Sequence, residues 1–146
     1  MKNILVCINF DELADLQIDK AKELAEKFNS KVWIVHIAAP NPDFAGNNED
    51  LKYIDSNRAK ELREEHRKLQ QYGNDLKDKG INTECMLIQG PTIDTIVDES
   101  VKLNADLIII GYADHGFLYK LFLGSSSPGV IRKSKVPVLV VPFYEK

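Results

Sequence analysis

Gly111 is followed after two residues by Asp114, and nine residues further on by Gly124-Ser125-Ser126-Ser127-Pro128. Serines ahead of a proline suit a helix start. Proline has no N–H to lose in the first turn, and a serine hydroxyl can cap the free N–H groups there. A glycine loop ending in such a start can hold phosphate, because backbone N–H groups point out of the helix end and its dipole favours negative charge. Gly111, Gly124, Ser125 and Ser126 are therefore candidate phosphate contacts. The serines serve equally well as plain caps, and both readings stand. Asp114 is ambiguous. Beside a phosphate its carboxylate is repelled by about 1 to 4 kcal/mol at ~4 Å, depending on the local dielectric. A Mg²⁺ ion between the two groups would reverse the sign and make Asp114 a ligand.

The remaining reactive residue types carry less. His36 lies inside an apolar run and reads as core, His66 as a packed residue at a helix edge, and His115 as an exposed loop residue. Cys7 and Cys85 sit far apart inside apolar runs and read as buried free thiols of a reducing compartment. No three of His, Cys, Asp and Glu show metal-ligand spacing, and nothing resembles a nucleophile elbow. No catalytic residue and no resident metal site are assigned. Any hydrolysis of a bound phosphate compound should be slow, with Asp114 as the one weak candidate base; a metal-dependent hydrolase would require it.

The elements around these residues follow from periodicity. Short apolar runs at Ile4–Ile8, Val32–Ala38, Thr83–Ile88, Asp106–Ile110 and Val136–Val141 read as strands. Between them run helical patterns. Asn9 or Asp11 can cap the first, whose stripe is Ala14, Ile18, Ala21, Ala25 and Phe28, and Asn29-Ser30 ends it. After a Pro-, Asn- and Gly-rich loop from Pro40 to Asn48, a long charged helix shows Leu62, His66, Leu69, Tyr72 and Leu76, stopping at Gly80. The third shows Ile93, Ile96, Val97 and Val101, and the fourth starts near Gly124. Strands alternating with helices imply βαβ units and a parallel sheet covered on both faces. Ligands then bind beyond the carboxyl ends of the strands, near Asn9, Ile37, Gly90 and Gly111.

With 146 residues, 44% hydrophobic and 28% charged, the chain has the size and balance of one globular domain spanning residues 1–146. A formal charge of -3 argues against a dedicated nucleic-acid binder. The opening run is too short for a signal peptide or membrane span, so a cytoplasmic location without membrane partners is expected.

The Gly111–Ser125 spacing, the string His115-Gly116-Phe117-Leu118-Tyr119-Lys120-Leu121-Phe122-Leu123 within it and the closing Pro137-Val138-Leu139-Val140-Val141-Pro142 together resemble the universal stress protein family. Its phosphate-binding pattern is G-x2-G-x9-G-[S/T] before a P-V-L-V-V strand. The resemblance covers essentially the whole chain. It implies a three-layer α/β sandwich, Rossmann-like and related to the adenine nucleotide alpha hydrolase fold, with five parallel strands in the order 3-2-1-4-5. It also implies a homodimer through Val136 to Val141, and binding of ATP or another adenine nucleotide, with or without Mg²⁺, in a stress response. Carried over residue by residue, Asn9 stands where the family commonly has an Asp that contacts the nucleoside, with Cys7 and Ile8 beside it. Ile37 flanks the adenine, Ile110 and Gly111 lie beside ribose and phosphates, and Gly124, Ser125 and Ser126 cradle the outer phosphates. Gly90 matches the glycine turn after the third strand. Asp114 departs from the pattern's second glycine. The alternative is a dimeric stress protein of the same fold that binds no nucleotide and acts through protein contacts.

Overall fold

The computed structural model describes residues 1–38, 48–113 and 126–143, the side chains of residues 48–57, 113 and 126 excepted. Asp114, Gly124 and Ser125, like His115, Tyr119 and most of the loop from Pro40, lie outside the described residues.

Five strands pair in parallel in the order β3-β2-β1-β4-β5, as the alternation and the resemblance imply. They are β1 (Asn3–Cys7), β2 (Lys31–Ala38), β3 (Thr83–Gln89), β4 (Leu107–Ala113) and β5 (Val138–Phe143). The central strand β1 pairs with β2 from Asn3↔Lys31 to Cys7↔Val35, and with β4 from Ile4↔Leu107 to Val6↔Ile109. Side chains of opposite parity leave opposite faces of a strand. Ile4, Val6, Val32, Ile34 and Ile109 form one core with the helices α1 (Glu12–Phe28) and α2 (Asn48–Asp78). Leu5, Val35, Ile37, Ile108 and Ile110 form the other with α3 (Thr92–Lys102) and α4 (Ser126–Lys133).

Caps and close contacts fix the helices. The Asp11 carboxylate accepts from Leu13 N–H at 2.9 Å and opens α1; Asn29 closes it in the left-handed region. Phe28 keeps helical spacing yet is 54% exposed, because it sits in the final turn, where the chain reverses at Asn29. On α2 the inward stripe runs through Leu62, Glu65, Leu69, Tyr72 and Leu76, and His66 is exposed. A polar side chain holds the inner position there because Glu65 pairs with His36, which is buried as expected. Gly73 brings α2 close to β3: a Cβ there would run into Cys85 Sγ. On α3, Ser100 is buried and Val101 is 57% exposed, against the expected stripe. The Ser100 hydroxyl donates to Val97 O within its own helix, so its burial leaves no open donor.

Two strands, β4 and β5, differ from the sequence reading by more than one residue. β4 continues through Gly111 to Ala113 because β5 pairs alongside, from Ile108↔Val138 to Ala113↔Phe143. The ladder carries the backbone past the point where the apolar pattern stops. β5 is displaced toward the carboxyl terminus and begins at Val138, since Val136 is held by Ser134, whose Oγ accepts from Val136 N–H at 2.9 Å. At the opposite end of the sheet Asp106 Oδ2 accepts from the N–H groups of Lys2 and Asn3, which ties the amino terminus to β4 and holds that carboxyl below its usual range.

Candidate functional site

The winding of the sheet reverses between β1 and β4, which opens a crevice at their carboxyl ends. The cleft there is lined by Cys7, Ile8 and Asn9 after β1, Leu13 and Gln17 from α1, and Ile37 from β2. Thr92 and Ile96 of α3, Ile110 and Gly111 of β4, and Ser127 of α4 complete it. Six of the residues singled out from sequence thus converge: Cys7, Ile8, Asn9, Ile37, Ile110 and Gly111. Gly90 does not line the cleft. It sits at the end of β3, its N–H donating to Ala38 O at 3.2 Å. The backbone of Ser126 opens α4, next to the lining residue Ser127.

Hydrogen bonds between neighbouring elements set the floor of the cleft. Gln17 is 2% exposed, and its Nε2 donates to Cys7 O at 2.6 Å, tying α1 to the end of β1. Its amide also covers Gly111: a Cβ on that glycine would lie 2.9 Å from Gln17 Oε1 and 3.0 Å from Leu13 Cδ1. On the α4 side Ser127, 3% exposed, donates its hydroxyl to Gly111 O at 2.8 Å. Glycine at 111 is thus required first by packing, and the Ser127 hydroxyl is committed to the backbone. Between the described residues the cleft has about 40 Å³ of water-accessible space and opens to solvent.

No lining residue among those described carries a formal charge. Burial pushes the Cys7 thiol up to about 12, so it stays protonated and is no nucleophile. Cys85 is likewise free; burial raises its thiol, and its Sγ donates to Leu69 O at 3.3 Å. Both cysteines are partly rather than fully buried. Among the described residues no cluster of His, Cys, Asp and Glu could hold a metal ion, and no helix is long and apolar enough to cross a membrane. The chemistry on offer is therefore uncharged: an apolar wall from Ile8, Ile37, Ile96 and Ile110, and the exposed amide of Asn9 at the rim. Sequence reasoning missed Leu13, Gln17, Thr92, Ile96 and Ser127 as lining residues. Gln17 had a signal, since a glutamine one position before Ile18 in a helical stripe must find a buried partner.

A sequence model described as the Universal stress protein family matches residues 1–142. A relative from Thermus aquaticus, "Universal stress protein in QAH/OAS sulfhydrylase 3'region", is 31% identical over 144 residues, covering 96% of this chain and 98% of its own. Among solved structures, MJ0577 of Methanocaldococcus jannaschii superposes with a TM-score of 0.78 at 24% identity, covering 99% of this chain and 98% of that one. A universal stress protein from Archaeoglobus fulgidus in complex with dAMP superposes with a TM-score of 0.65 at 23% identity, covering 97% and 98%. The chain belongs to the universal stress protein family.

Proposed function

We propose that this universal stress protein binds an adenine nucleotide in the cleft at the carboxyl ends of β1 and β4, and acts as a nucleotide-linked switch in a stress response. One observation carries this reading. Residues far apart in sequence, Asn9, Ile37, Ile110 and Gly111, converge at the one place where this sheet topology opens toward a ligand. The dAMP complex of the Archaeoglobus fulgidus protein supports adenine as the base. Asn9 offers a donor and an acceptor to the nucleoside, and the isoleucine wall suits a flat apolar ring. Gly124 and Ser125, with Ser126 at the start of α4, supply the phosphate end, with Asp114 as a neighbour of the phosphates or of a Mg²⁺ ion they bring. Among the described residues the cleft holds no water-activating base, and Asp114 is the one weak candidate, so slow turnover of ATP is expected.

Titration calorimetry with ATP, with and without Mg²⁺, tests this. Asn9 is exposed, so Asn9→Ala should leave the melting temperature unchanged while weakening ATP by about fivefold, the value of roughly one hydrogen bond. An affinity untouched by that change would remove Asn9 from the site.

A second reading has its own observation. Two polar side chains of the cleft floor, Gln17 and Ser127, already pair with the backbone. This fits a protein of this fold that acts through protein contacts. Either way β5 lies at a sheet edge, and an unpaired apolar edge favours antiparallel pairing with a second copy through Val136 to Val141. Sedimentation equilibrium should then give twice the chain mass; a monomer at all concentrations would rule that interface out. A soluble cytoplasmic setting accords with both readings.

A further inference from the structure

His36 is 8% exposed and sits behind the cleft, on the α2 side of β2. Its Nδ1 lies 2.8 Å from the carbonyl oxygen of Ile8. A carbonyl only accepts, so Nδ1 carries a proton whatever the charge of the ring. Paired register between β1 and β2 ends at Cys7↔Val35. Beyond it Ile8 N–H donates to Val35 O at 2.9 Å, and the imidazole takes the Ile8 carbonyl. Both peptide groups of Ile8 are thereby tied to β2, and Asn9 follows directly at the rim of the cleft.

The other ring nitrogen, Nε2, faces Glu65 Oε2 across 3.6 Å. That oxygen is buried and has no hydrogen-bond partner among the described residues. With Nε2 bare, two acceptors confront each other. With Nε2 protonated, the buried oxygen faces a donor, and the bond from Nδ1 to the Ile8 carbonyl becomes charge-assisted. The strength with which Ile8 is held therefore depends on a proton shared by His36 and Glu65.

We infer that His36 and Glu65 are a proton-linked positioning pair for the nucleoside edge of the cleft, acting through the Ile8 carbonyl on Ile8 and Asn9. For its ligand the inference rests on the nucleotide reading above; the positioning itself does not. The Phe10 ring packs against the His36 ring with centroids 4.6 Å apart, and Lys68 of α2 lies 5.7 Å from the Phe10 centroid. Asp11, whose carboxyl burial pushes up, lines a neighbouring hollow with Phe10 and Lys68. From β3, Leu87 stands in register with His36 and is uncharged. The sign follows from the partner: the ion pair exists while the ring holds its second proton, and it is lost as pH rises past the loss of that proton.

The test is a nuclear magnetic resonance titration of the labelled protein from about pH 5 to about pH 8.5, the range in which histidine serves as a switch. Nδ1 of His36 should stay protonated throughout, and the backbone amide signals of Ile8 and Asn9 should change with pH together with the ring. Glu65→Gln should change the pH response of ring and amides together, because the amide can donate to a bare Nε2. Asp11→Asn should leave the transition in place. His36→Gln, which keeps a donor for the Ile8 carbonyl, should hold Asn9 in place and abolish its pH dependence. Amides of Ile8 and Asn9 that ignore the ring, or a transition unmoved in Glu65→Gln, would overturn the inference. In parallel, ATP affinity should weaken by about fivefold toward high pH in the parent and stay flat in His36→Gln. If ATP binds equally at every pH, the pair does not position the site. If it binds at none, the nucleotide reading fails alone, and the amide signals still decide the positioning.

Discussion

Replacing Gly111 by alanine tests whether this glycine is needed for packing or for a ligand. The new methyl would lie 2.9 Å from Gln17 Oε1, 3.0 Å from Leu13 Cδ1 and 3.1 Å from Gln17 Cδ. Ordinary carbon contacts begin near 3.5 Å, so the glutamine amide must retreat by about half an ångström. It has little freedom, being 2% exposed with Nε2 bonded to Cys7 O at 2.6 Å. Overpacking costs about 1 to 3 kcal/mol, and a weakened buried hydrogen bond about 1 more. Reduced freedom of the unfolded chain returns up to about 1 kcal/mol. The net expectation is a loss of about 2 kcal/mol in urea unfolding, or roughly 4 to 8 °C for a chain of this size. Gln17→Ala alone leaves Cys7 O without its partner and costs about 1 to 3 kcal/mol. In the double variant the methyl occupies space the glutamine has left. The two costs should therefore fall short of additive by about 1 kcal/mol. An alanine variant as stable as the parent, or strict additivity, would refute the packing account and return Gly111 to the ligand.

Two further outcomes follow from the same structure. Cys7 should resist thiol reagents near pH 8 in the folded protein and react once it unfolds. Its folded thiol is held up to about 12 against 9.0 unperturbed, so the unfolded chain sheds its proton first and stability should fall as pH climbs between those values. A thiol that reacts rapidly in the native protein would contradict its burial. Gly73→Ala should destabilise by about 1 to 3 kcal/mol through collision with Cys85 Sγ, and Cys85→Ala should relieve much of that loss in chemical denaturation. Equal losses with and without Cys85 would mean that the helix simply moves away.

Much of this fold could be read from the sequence because few physical solutions exist for it. The buried runs Ile4–Ile8 and Val32–Ala38 fit strands covered on both faces, and Asp11 and Asn29 mark α1 by chemistry that side chains announce. The errors fall where tertiary pairing overrides local pattern. β4 runs past Gly111 because β5 supplies hydrogen bonds that no side-chain periodicity records. His66 lost the inner face of α2 to Glu65, because a carboxylate can be buried when an imidazole waits behind it. Phe28 and Val101 kept helical spacing but sit at or near the ends of their helices, where spacing ceases to mean burial. In the cleft, residues at strand ends were legible because topology alone delivers them there. Ser127 was not, and Gln17 showed only as a polar side chain beside an apolar stripe, since their partners are the carbonyls of Gly111 and Cys7, and a backbone acceptor leaves no trace in sequence.

The most direct test of nucleotide binding is the melting temperature of the nucleotide-stripped protein with and without millimolar ATP, each with and without Mg²⁺. A ligand that binds only the folded state stabilises it by about 2.7 kcal/mol at a hundredfold excess over Kd. The account predicts a rise of several degrees with ATP, larger with Mg²⁺ if Asp114 meets the metal. No rise under any of these conditions would contradict it and leave the protein-contact reading in its place.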